Sequence, residues 1–135
     1  AFGGIVNTLE GPSIGLEMVR ATMNDEDQAE GAQLFGLLIR NIVGPAVRLQ
    51  DGSSLNLRES APDSISTENV DGHLIEFAGN HNRLVLVGSA AGAGCSQPDI
   101  LFDDGIEIDL FQASETHPFG AIRESKRGNY VEVIE

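Results

Sequence analysis

Tryptophan is absent from this chain, cysteine and lysine each occur once, and no long hydrophobic run is present. Each shortage excludes something. One cysteine, Cys95, rules out an intramolecular disulfide and a cysteine-built zinc site. The apolar runs fall well short of the ~20 residues that a membrane-spanning helix needs. The opening AFGGIVNTLE has neither a basic region nor a long apolar core, so no signal peptide is expected there. The scarcity of cations says most. Eight lysines and arginines stand against 21 acids, a net charge of −13. Such a surface repels phosphate backbones and anionic lipids, which argues against nucleic acid and membranes as partners. Protein remains the expected partner.

The 135 residues present are enough for one domain (1–135), with 41% hydrophobic and 21% charged residues, as in a soluble globule. The expected fold class is α+β: two N-terminal helices followed by an antiparallel, hairpin-built sheet or small β-barrel. The helical part covers 13–43 and the hairpin region 46–135. Ser13 reads as a helix cap, with Leu16, Val19 and Met23 at helical spacing behind it. A second helix starts at Asn24, where Asp25, Glu26 and Asp27 suit the positive end of its dipole. It carries Leu34, Phe35, Leu38 and Ile42 and stops at Gly44-Pro45.

From Val47 the period becomes two. Apolar register sets Val47 opposite Leu57 and Leu49 opposite Leu55, Ile75 opposite Val87 and Phe77 opposite Val85. It also sets Ile100 opposite Ile108 and Phe102 opposite Ile106. A last strand, Tyr130 to Ile134, is expected to pair with Ala121 to Arg123. No internal repeat stands out.

Candidate chemistry is sparse. VGSAAGAGCSQPD, residues 87–99, follows an apolar strand but opens no helix and lacks Gly-Lys-Ser/Thr, so it reads as a crossover rather than a phosphate loop. Cys95 has no activating motif around it and reads as an ordinary thiol. The acidic group around the third hairpin is the sharpest lead. Asp99 faces Asp109, with Glu107 next along, and a Ca²⁺ ion would relieve that repulsion. The plainer account makes these the solvent side of a half-buried strand. His73 and Glu76 point to opposite faces of a strand, His81 sits at a turn and His117 in a loop, and none of them forms a motif.

These observations favour a non-enzymatic structural or assembly protein acting by self-association or docking on a larger particle. By analogy of profile, a virion component such as a capsid-decorating or head–tail joining protein fits. Leu34, Phe35, Leu38 and Ile42 are the expected core or interface. Residues 1–9 and the tail after Tyr130 are the expected intersubunit arms. The alternative is a small β-barrel enzyme or ligand-binding module. Its pocket would lie between sheet and helices, lined by Phe77, Phe102 and Phe111, with His73, Glu76, Glu107 and Asp109 as polar groups.

Overall fold

Val47, Leu49 and Leu55 alternate with polar neighbours, the pattern of strands with one buried face. The computed structural model describes residues 3–6, 12–24, 37–58, 63–88, 90–110 and 121–134. In it, each such run pairs with a run one full coil away, not with its neighbour in sequence. Sheet A joins β1 (Gly3–Val6), β4 (Leu37–Val43) and β7 (Ile65–Asp71), all parallel. Sheet B runs through β2 (Leu16–Val19), β5 (Val47–Gln50), β8 (Ile75–Ala78) and β10 (Ile100–Leu101), then ends on the antiparallel β11 (Glu107–Ile108). Sheet C runs through β3 (Thr22–Asn24), β6 (Ser54–Asn56), β9 (Arg83–Val87) and β13 (Tyr130–Ile134), then ends on the antiparallel β12 (Ala121–Glu124). A chain that visits A, B and C in turn and then repeats is a parallel β-helix, a three-sided solenoid.

The interior is built from like residues stacked coil on coil. Leu16, Val47, Ile75 and Ile100 form one column, and Met18, Leu49 and Phe77 a second, with the Phe102 ring stacked on Phe77 at 5.4 Å. Leu55, Leu84 and Val131 form a third, on sheet C. Most of these side chains are fully buried, and each contributes ~1.5–3 kcal/mol by leaving water.

The expected α+β class is therefore overturned: the described residues contain no helix, and the sheets are mixed and mainly parallel. The reason lies at Asn41 and Asn69. Both take left-handed backbone conformations inside β4 and β7 (φ 60° and 52°), and their side chains hydrogen-bond at 3.0 Å. A left-handed residue shifts the alternation by one, so Ile39 and Ile42 both point inward, as do Thr67 and Val70. Spacing of three is what made Leu37–Val43 look helical.

Ser13 caps no helix. Its hydroxyl accepts from Val43 N at 3.0 Å and its own N–H donates to the Val43 carbonyl, tying two coils together. Gly44-Pro45 is a corner between sheets A and B. The hairpins of Val47 with Leu57 and Ile75 with Val87 do not form, because their strands belong to different sheets. Two antiparallel registers do hold, Ile100 with Ile108 and Ala121–Arg123 against β13. Of the expected arms, Gly3–Val6 pairs with β4 at the edge of sheet A and β13 lies between β9 and β12, while residues 1, 2 and 7–9 lie outside the described residues. Residues 25–36, which carry Leu34 and Phe35, lie outside the described residues, as do Phe111 and His117.

Candidate functional site

Two features distinguish this solenoid from a bare stack of strands: a buried polar column at one corner, and unlike ends. The column runs along the corner between sheets B and C. Ser53, Asn82 and Asn129 are all fully buried there. Ser53 N donates to Asn82 Oδ1 at 2.9 Å, and Asn82 N donates to Asn129 Oδ1 at 2.9 Å. Asn82 Nδ2 donates to the same Asn129 oxygen and to the Ala78 carbonyl. Corners leave backbone groups without strand partners, and burial makes each such orphan costly, so short amides take their place. The column ends on a carboxylate. Asn129 Nδ2 donates to the Gly79 carbonyl and to Asp103 Oδ1, while the Arg127 Nε lies 3.4 Å from Asp103 Oδ2. The Asp103 side chain is only 2% exposed. Burial alone would push its carboxyl up, but the Ser125 and Asn129 side chains and the Arg127 charge outweigh that and hold it below the usual range.

Beside this terminus opens a cleft of about 690 Å³ lined by Asn80, His81, Ser125, Lys126, Arg127 and Gly128. Its two walls are joined by His81 N donating to the Arg127 carbonyl at 3.1 Å. Gly128 has φ +75°, and a Cβ there would sit 2.7 Å from His81 Nδ1, so glycine lets the imidazole close over the turn. Nothing in the sequence singled out this corner. Its parts lie far apart in the chain, and only coil stacking unites them.

Asp99, Glu107 and Asp109 do not converge on a metal site. Among the described residues no group of three or more His, Cys, Asp or Glu is placed to hold an ion. Asp99 and Asp109 do face each other across the β10–β11 register, but their oxygens serve the backbone. Asp99 N donates to Asp109 Oδ1 at 3.3 Å, and Leu110 N donates to Asp99 Oδ2 at 2.8 Å. Burial and the Asp109 charge push the Asp99 carboxyl up, against the opposing pull of Leu110 N–H.

The stretch AAGAGC (90–95) is a turn that packs beside β7 without adding a strand to sheet A. Cys95 bridges Val70 in parallel, and a Cβ on Gly94 would collide with the Thr67 carbonyl. Burial pushes the Cys95 thiol up to about 11, so it is protonated at neutral pH and a poor nucleophile.

Phe77 and Phe102 are 5% and 1% exposed and fill the interior instead of lining a pocket. His73 Nδ1 donates to the Pro98 carbonyl at 2.6 Å, and Glu76 lies on β8 in register with Arg48. Of the expected interface residues, Ile42 is core at 2% exposed and Leu38 is half-buried.

The second feature is the difference between the ends. Sheets B and C finish on reversed strands, β11 and β12, which interrupt parallel stacking, and Leu110 is buried against that end. At the other end β2 and β3 each have one strand neighbour among the described residues, with Val19 44% and Met23 46% exposed. No family model matches the chain, and neither a curated protein nor a solved structure matches it significantly. No helix among the described residues is long and apolar enough to cross a membrane.

Proposed function

We propose that the chain is a structural assembly module that associates through its first coil. The reading rests on one observation. Val19 and Met23, two of the four exposed large apolar side chains among the described residues, lie on β2 and β3, at the end where strand edges lack a second neighbour among those residues. Stacked repeats need polar caps to remain separate, and unpaired edges template further pairing. The occupant we favour is a second copy. A molecule with one open end and one end reversed by β11 and β12 builds a closed two-fold dimer rather than a filament. In such a dimer β2 runs antiparallel to its copy, which carries Glu17 toward the exposed Arg20 of the other molecule.

Light scattering on the full chain, from micromolar to sub-millimolar concentration, tests this. A dimer growing with concentration is expected, and Met23→Asp or Val19→Lys should return it to monomer, with a melting temperature equal to the parent's at the dilute, monomeric end of the range. A monomer throughout the range would overturn the reading, and so would a dimer indifferent to both substitutions.

A further inference from the structure

We propose that the cleft between the Asn80-His81 turn and the Ser125–Gly128 turn binds a small ligand through an oxyanion group. The chain carries a net charge of −13, yet every titratable side chain lining this cleft, His81, Lys126 and Arg127, is basic. Three arginines elsewhere have partners: Arg40 pairs with Glu68 at 3.0 Å, Arg58 with Glu132 at 2.7 Å, and Arg83 lies over the Tyr130 ring. Lys126, the one lysine in the sequence, is exposed, and no carboxylate among the described residues stands within ion-pair distance of it. Arg127 has its Nε 3.4 Å from Asp103 Oδ2, and its side chain is 61% exposed.

The walls are held in advance. Asn129 underpins both turns from below, accepting nothing from solvent, while the Ser125 hydroxyl accepts from Arg127 N and Asn129 N. Here a point charge (Lys126), a planar fork (Arg127), an imidazole and the Asn80 amide line one recess. A carboxylate, a sulfate and a phosphate ester all offer the matching acceptors.

The test is a nitrogen-15 NMR titration of the full chain with inorganic phosphate, sulfate and citrate in separate arms, at ionic strength held constant with sodium chloride. The amides of 79–81 and 125–128 should shift and saturate in at least one arm, and the arm that saturates at the lowest concentration identifies the oxyanion. Lys126→Gln should weaken that binding by about tenfold, the loss of one charge-assisted hydrogen bond. Arg40→Gln, a cation removed from sheet A, should leave it unchanged. Shifts that never saturate in any arm would overturn the proposal. Equal weakening by the two substitutions would do the same, since it would mark a response to overall charge.

Discussion

Asn129 has both polar atoms of its side chain engaged in a place water does not reach. Its Oδ1 accepts from Asn82 N and Nδ2, and its Nδ2 donates to the Gly79 carbonyl and to Asp103. Truncation to alanine leaves those partners buried and unsatisfied, at ~1–3 kcal/mol for each group that water cannot rescue. Asn129→Ala should therefore cost about 3 kcal/mol in urea unfolding. Ser66→Ala, at an exposed position on β7, should stay within about 0.5 kcal/mol. Similar costs for the two would show that the column is ornamental. Asp103 shares the dependence: it is held below the usual carboxylate range, so its contribution is present above that range and lost as pH falls through it.

At the level of elements, β10 and β11 meet through two carboxylates acting on backbone, and one of them is ill placed electrically. Asp99 is pushed up by burial and by Asp109, so its folded value exceeds the unfolded one. The sign follows. Whatever Asp99 contributes is fully present below the ordinary carboxylate range and declines as pH rises through the elevated folded value, leaving a cost at neutrality. Asn at this position still accepts from Leu110 N and never ionises. Asp99→Asn should melt higher than the parent at pH 7, with the difference closing near pH 3; a lower or unchanged melting temperature at pH 7 contradicts this.

These elements also show what the sequence could disclose. Strand character at 47–50, 75–78 and 83–87 was legible because alternation depends only on having one buried face. The local reversals were legible too, since Ile100 and Ile108 are joined by a short turn. Partnership across coils was not: Val47 finds Ile75 through a corner whose loop length varies from coil to coil, so no fixed period marks the repeat. The β4 strand was misread because Asn41 imitates helical spacing. Backbone N–H groups hydrogen-bond the Asp99 and Asp109 oxygens that the sequence offers to a metal, a demand that is invisible in sequence. The basic cleft was missed for the same reason as the coils: Asn80-His81 and Lys126-Arg127 are neighbours only once β9 and β13 pair.

Across the whole molecule the charge excess is a standing load. With 21 acids against eight bases, like-charge repulsion opposes the compact state, while an ion pair exposed at both ends contributes little. Arg40 and Glu68, for instance, are 45% and 57% exposed. Salt screens both effects, and the larger should decide the sign. Raising sodium chloride from about 0.02 to 0.5 M shortens the Debye length from roughly 20 to 4 Å. That suppresses repulsion between distant carboxylates more than attraction within a pair in contact. The melting temperature should therefore rise with salt. The same reasoning extends to association, because two copies of charge −13 repel before their edges meet. The dimer proposed through β2 and β3 should tighten over the same range, read by light scattering at fixed protein concentration. Should melting temperature fall with salt, attraction within ion pairs must outweigh the net charge, and the Glu17, Arg48 and Glu76 positions that lie in register on sheet B would be the first place to look.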